Sequence, residues 1–535
     1  MENILSSLKK RATAATGTVT EKAARPSASR QARLWFSLLM LLCAAYAGRH
    51  WIIYDGYVPA TRDESMFLPV ILKNSTPALY ARDYSVNNFH LASGVFLDFS
   101  SAWLKLAGGN LRVFLLGAST ALLFIFIAGV FFLVRHLTGN PAASLLAGLL
   151  LMRPRPATAG TGFAVYVGNY QARTFIDALT PWFFLGYFKS GSAAGKLLLG
   201  CLLGAVSWFY PVYPAQLAAL FALLSLLQGR VRDAVALSAG FAVIFAPYYF
   251  QAIVHGAGPL TPEAVRIVIG RWGNQVYPQV WGLISEFLWY FSLPLALFLV
   301  SGGARKAEGE SGDMRTFRLA GLAAAALIAA SFLSYAFPVL LPLMLQRLGR
   351  LYHLIFLVCG AAGAVVLFSK EGRPALKAAC LALVLLNLAV IDPRSLFEDF
   401  YPGLSANVSA PEKGELLALA ALARKSTPVD SIFMVPPDGF NNFSLYSERG
   451  IVVAFKTTSA VNDSRVLEYW KTAYDKARAA YAGGDFSKLK ALARNYGADY
   501  VLVASGTFKT DEKPVMEAGS LKIYTLGGLD AAARR

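Results

Sequence analysis

Long apolar runs recur from Leu34 to Ile391, each broken by a short cluster of Lys, Arg, Gly or Pro. An α-helix needs ~20 largely apolar residues to cross the hydrocarbon core of a bilayer. By that measure the runs predict about eleven spans, near 34–53, 111–134, 141–153, 175–188, 197–209, 214–228, 232–253, 281–301, 318–337, 351–368 and 375–391. Pro211 and Pro214, in WFYPVYP, mark a re-entrant turn or a tight hairpin. In the first loop, 54–110, FLPVILKN and FHLASGVFLDFSSAWLKLAGG carry apolar residues at helical spacing and read as helices lying on the membrane surface.

Beyond Pro393 the period changes. Residues 411–425, 464–482 and 486–496 read as helices. Short strands are expected from Ser431, Ile451 and Ala498, with a final pair near Pro514–Met516 and Leu521–Tyr524. Strands alternating with helices predict a small α/β domain with a mainly parallel sheet. It contains no GxGxxG or GK[ST] loop, so a nucleotide site is not indicated. The organisation is therefore a polytopic α-helical membrane protein with a small C-terminal α/β domain. Its parts are a disordered basic segment, 1–33, a transmembrane domain, 34–392, and the tail, 393–535.

Composition supports the membrane class. The chain is 56% hydrophobic and 15% charged, where soluble domains carry about 25% charged residues. Its net charge of +18 would suggest nucleic acid in a soluble protein. Here the basic residues fall between spans and report topology instead. Alternation places Arg135 with His136, Lys189 to Lys196, Arg230 with Arg232, Arg305 to Arg318 and Lys370 to Lys377 on one side. By the positive-inside rule that side is cytoplasmic, as is the N-terminus, and an odd number of spans leaves the tail outside. The first span follows a long basic region without a clear cleavage site, which favours a retained span over a signal peptide. Cys43, Cys201, Cys359 and Cys380 all lie in apolar runs without metal-ligand spacing.

Candidate chemistry lies at the outer boundary. Asp63 and Glu64 sit side by side in the first loop, with Asp83 and His90 further along it. The loops on that side also carry arginines that topology does not require: Arg153, Arg155 and Arg173, Arg266 and Arg271, and Arg347 with Arg350. As a set they are what a phosphate or pyrophosphate ligand requires. Each also has a plainer reading. Asp63 and Glu64 fit the first turn of a helix capped by Thr61. Asp83 can pair with its neighbour Arg82, and His90 reads as a packed interfacial residue. Arg173 can pair with Asp177 one turn on. Arg347 and Arg350, three apart and next to Gln346, can snorkel to the interface. Glu286 is an intramembrane carboxylate, a functional candidate by default. The rings of WFYPVY and YPQVWGLISEFLWYF read as interface belts.

The chain resembles the GT-C glycosyltransferase superfamily, specifically its uncharacterised bacterial branch with an extracytoplasmic α/β tail. The residues that carry the resemblance are RDES-x-FLP and YARDY in the first loop, NYQARTF (Asn169 to Phe175), LQRLGRL (Leu345 to Leu351), TPVDSIFMVPPDGFNNFSLYSERGIVVAFK and ARNYGADYVLV. The resemblance implies a multi-pass protein of the bacterial inner membrane. It also implies a polyprenyl-phosphate-linked sugar donor and transfer on the outer face, in surface polysaccharide or glycoconjugate assembly. Such a reaction needs a base for the acceptor hydroxyl and cationic help for the departing phosphate. Asp63 is the expected base with Glu64 as alternate, and Arg173, Gln346, Arg347 and Arg350 are the expected donor-phosphate or lipid ligands. Asp83 or His90 would hold acceptor or a divalent cation, whose use the residues leave open. Beyond the lipid bilayer and the polyprenyl-phosphate sugar, no partner is indicated. The alternative is a non-enzymatic transporter or lipid-handling subunit of a polysaccharide system. Transporters, however, show inverted repeats and broken mid-membrane helices, and no convincing internal repeat is present.

Overall fold

The computed structural model describes residues 30–48, 64–89, 94–152, 170–255, 261–276, 278, 280–302, 311–337, 343–389, 412–455, 457 and 464–527. Helix occurs at all eleven expected span positions. Among the described residues, five helical segments are long and apolar enough to cross a membrane: Arg30–Gly48, Leu111–Thr138, Val231–Phe250, Gly312–Tyr335 and Leu345–Ser369. Pro141–Met152, Ala193–Val206, Val212–Leu227 and Pro374–Ala389 are apolar but shorter. Ala172–Lys189 carries polar residues in its first turns. The expected run 281–301 is broken into Val280–Glu286, a π-turn Phe287–Phe291 and Ser292–Val300.

Local chemistry sets the boundaries. Asn110 caps Leu111–Thr138 by accepting from Val113 N, and Gly139, in the left-handed conformation, ends it. Helices 193–206 and 231–255 approach most closely because glycines face backbone. A Cβ on Gly200 would lie 2.1 Å from Leu237 O, and one on Gly240 would lie 2.2 Å from Leu197 O. This is the small-residue packing expected where lipid supplies no hydrophobic drive between helices.

The first loop forms the helices Glu64–Ser75 and Gly94–Leu106, joined through Tyr84–Asn87. The first two pack together, with Phe67 and Phe96 edge to face at 5.5 Å. In the tail, β1 (Ile432–Met434), β2 (Gly450–Ile451), β3 (Tyr500–Ala504), β4 (Met516–Ala518) and β5 (Leu521–Thr525) make one sheet, ordered β2-β1-β3-β5-β4. Only β2, β1 and β3 are parallel, so the sheet is mixed rather than mainly parallel. The cause is the tight connection at Gly519, with φ +58°, which closes β4 and β5 into a hairpin and forces an antiparallel pair. Strand alternation sends Phe433 and Leu502 toward Leu419 and Ala423 of Glu412–Ser426. Met434, Val501 and Val503 face Leu467 and Ala473 of Ser464–Ala482 on the other side.

The tail is fastened to the first loop. Asp83, 1% exposed, accepts Val86 N with one carboxylate oxygen and Ile451 N with the other, both at 2.9 Å. Tyr80 OH donates to Ser444 O at 3.1 Å, and Arg82 reaches Asp499 and Gly497 O, each at 2.8 Å. Helix Pro262–Val276 adds a second attachment, with the Arg271 guanidinium 3.9 Å from the Trp470 ring centroid.

Candidate functional site

Four elements converge where helices 172–189 and 212–227 begin and helix Leu351–Ser369 is entered through a 3₁₀ turn, Leu345–Arg350. In a 3₁₀ turn residues three apart eclipse, so Arg347 and Arg350 leave the same side. Met344, with φ +42°, starts that turn, and Gln216 Nε2 ties it down by donating to Leu343 O and Met344 O at 2.7 and 2.8 Å.

Arg350 is the centre of the cluster. It is fully buried, its Nη1 donates to Asp177 Oδ1 at 3.2 Å, and its guanidinium lies 3.0 Å from the Tyr213 ring centroid. Arg173, 4% exposed, also lies within electrostatic reach of Asp177. Arg347 Nη1 donates to Tyr210 OH at 3.0 Å, and Gln346 is buried beside it. The Asp177 contact uses only one corner of the Arg350 fork. Its Nε and Nη2, the edge that meets a carboxylate or phosphate bidentately, have no hydrogen bond among the described residues. A buried cationic edge without acceptor is costly, and Asp177 Oδ2 beside it also has no hydrogen bond among the described residues. His353 packs 4.4 Å from Phe291, and its Nε2 meets Tyr290 O at 3.1 Å, a carbonyl in the π-turn.

The sequence-predicted residues divide clearly. Arg173, Gln346, Arg347 and Arg350 come together. Asp177 pairs with Arg350, so it serves the cluster rather than only its own helix. Asp83 lies elsewhere, between first loop and tail, with both oxygens taken by backbone N–H groups. Asp63 and His90 lie outside the described residues; Glu64 opens its helix, and its side chain, like that of Glu286, is outside the described ones. The first loop nonetheless reaches the cluster's helix through Ser100 Oγ and Tyr170 OH, 2.7 Å apart. Tyr210, Tyr213 and Gln216 were missed by sequence reasoning, which read WFYPVY as a belt. The signal was the prolines at 211 and 214, which flank the break where helix 212–227 begins, with Tyr213 buried and Tyr210 half-buried there. Among the described residues, no three His, Cys, Asp or Glu side chains gather as metal ligands.

A cavity of about 440 Å³ opens on the flank, lined by Val95, Ala205, Trp208, Phe209, Val243, Ile244 and Pro247, and is almost wholly apolar. Phe209 adjoins Tyr210, the partner of Arg347.

Residues 414–475 match a family described as a domain of unknown function, DUF6798. No curated protein matches the chain. Among solved structures, ArnT from Cupriavidus metallidurans, bound to undecaprenyl phosphate, is similar with a TM-score of 0.55 at 12% identity, over 92% of this chain and 99% of that one. The Archaeoglobus fulgidus oligosaccharyltransferase, tethered to an acceptor peptide, gives a TM-score of 0.44 at 12% identity, over 88% of this chain and 69% of that one. The mycobacterial arabinofuranosyltransferase AftD gives 0.45 at 14%, over 93% of this chain and 40% of that one. At 12% identity the likeness to ArnT is one of fold alone.

Proposed function

We propose that the chain is a membrane glycosyltransferase that takes a sugar from a polyprenyl-phosphate-linked donor and transfers it to an acceptor on the extracytoplasmic face. The observation that carries this reading is the bidentate edge of buried Arg350, which has no hydrogen bond among the described residues and is set beside Arg173 and Arg347. A polyprenyl phosphate matches that edge with oxygens and the flanking apolar cavity with its hydrocarbon chain. The fold likeness to ArnT, a structure holding undecaprenyl phosphate, supports the same donor class.

In this reading Asp177 and Tyr213 hold the Arg350 plane fixed, so the phosphate meets a preorganised fork. The arginines stabilise charge that grows on the phosphate as the glycosidic bond breaks. Asp63, or Glu64 in its place, takes the acceptor proton from the first loop.

The test is Arg350→Lys in purified protein reconstituted in lipid. Lysine keeps the charge and loses the fork, so affinity for undecaprenyl phosphate should fall about tenfold or more, with sugar transfer falling alongside. Unchanged affinity would reject Arg350 as the phosphate ligand. A wild-type protein that binds the lipid phosphate yet transfers no sugar from any polyprenyl-phosphate donor would favour the lipid-handling alternative.

A further inference from the structure

We infer a second anion site at the opposite end of the bundle, built for a phosphate that carries a hydroxyl-bearing headgroup. Helix 172–189 begins at the Arg350 cluster and, 18 residues later, ends in another cavity. At 1.5 Å per residue the two lie ~27 Å apart. This cavity has a volume of about 420 Å³, in the range of small-molecule sites and larger than a bare phosphate needs.

Three cations line it: Lys196 at its base, and Arg230 and Arg315, both exposed, at its rim. The positive-inside rule accounts for basic residues on this side, but for solvated ones. Lys196 is 2% exposed, lies 3.4 Å from the Tyr187 ring centroid and donates to Tyr187 O. A lysine this near a helix end normally snorkels its ammonium to water; here the ammonium is held inside. The amino end of helix Gly312–Ser331 also lines the cavity through Gly312, Asp313 and Thr316, which adds the positive end of a helix dipole. Two carboxylates oppose the cations. Asp313 is held by His136 Nε2 at 2.9 Å, and Asp233 lies within electrostatic reach of Lys196.

Gln228 supplies the second, independent observation. Thr316 donates its hydroxyl proton to Gly312 O at 3.0 Å, so its oxygen accepts from Gln228 Nε2 at 2.6 Å, and this fixes the amide orientation. Gln228 Oε1 is thereby left as a buried acceptor with no hydrogen bond among the described residues. An unprotonated phosphate-ester oxygen cannot satisfy it, whereas a hydroxyl next to the phosphate can. Phe188 and Leu319 give the cavity an apolar wall. The occupant is thus a phosphate ester with a neighbouring hydroxyl, either the headgroup of an anionic lipid or a soluble glycerol- or sugar-phosphate.

The experiment uses the full chain in nanodiscs of phosphatidylcholine with and without phosphatidylglycerol, and glycerol 3-phosphate as the soluble probe. Native mass spectrometry reads retained lipid, and calorimetry reads the soluble probe. Arg230→Gln combined with Arg315→Gln, both at exposed positions, should weaken the true ligand about tenfold or more. Gln228→Leu should abolish the preference for phosphatidylglycerol over phosphatidylmethanol, or for glycerol 3-phosphate over methyl phosphate at about pH 8. Loss in the lipid arm alone assigns a lipid headgroup, and loss in the soluble arm alone assigns a soluble ester. Equal binding of both probes by wild type and the double variant would overturn the site. Because Arg230 and Arg315 lie at the other end of the bundle and the double variant leaves the Arg350 cluster unchanged, this result is independent of the proposed transferase activity.

Discussion

Replacing Gly240 by alanine places a methyl 2.2 Å from Leu197 O and 3.1 Å from Cys201 N, both backbone atoms of the facing helix. Backbone cannot rotate away as a side chain can, so the two helices must separate by roughly 1 Å, and overpacking of this kind costs about 1–3 kcal/mol. The reciprocal substitution Gly200→Ala meets Leu237 O at 2.1 Å and Phe241 N at 2.9 Å. One separation relieves both clashes, so the double variant should cost clearly less than the sum of the singles. The same two helices supply Ala205 and Val243, Ile244 and Pro247 to the apolar cavity beside Tyr210. Under the proposed function, separating them should also weaken polyprenyl-phosphate binding. The assay is thermal denaturation in detergent, with spin labels on the lipid-facing sides of helices 193–206 and 231–255 to read the distance. Additive destabilisation, or Gly240→Ala at wild-type stability with an unchanged distance, would refute the close-approach account.

Asp177→Asn leaves the buried Arg350 charge without its counter-ion and should cost about 3–5 kcal/mol. Asp177→Asn with Arg350→Met should recover most of that loss in equilibrium denaturation, because no buried charge then remains. Burial pushes the Asp83 carboxyl up to about 6, against the N–H groups of Val86, Ile451 and Ser85 and the charge of Lys73. A folded-state value above the ordinary one contributes stability that is complete below about pH 4 and is lost as pH rises through about 6. Hydrogen exchange at 450–452, corrected for its intrinsic rate, should thus show protection falling between about pH 4 and 6 in wild type. The same slope in Asp83→Asn would assign the effect to another group.

How much of this was legible in the sequence follows from the range of the forces involved. Helix position is set by runs of neighbouring residues and by local caps such as Asn110 and Ser192, so the helices fell where the apolar pattern predicted. The tail's strands were equally readable, because they are short apolar runs: β1 and β2 are buried throughout and β3 at its three central residues. The arginines of the outer loops were recognisable as a set, since their number exceeded what topology asks. Their grouping was not readable. Arg173, Tyr213 and Arg350 are far apart in sequence and meet only because a 3₁₀ turn and a proline-flanked entry aim them at one point. Asp83 shows the same limit from the other side: its charge and loop position suggested chemistry, yet the fold spends both oxygens on backbone N–H groups, one of them Ile451 of the tail. Sheet direction likewise depended on how β4 and β5 were joined rather than on the strands themselves. Composition and periodicity therefore determined the membrane class and the elements of this chain. Which polar groups are satisfied by the protein, and which edge of buried Arg350 has no hydrogen bond among the described residues, was decided by tertiary packing alone. That decision requires the positions of partners hundreds of residues away, which no local pattern encodes.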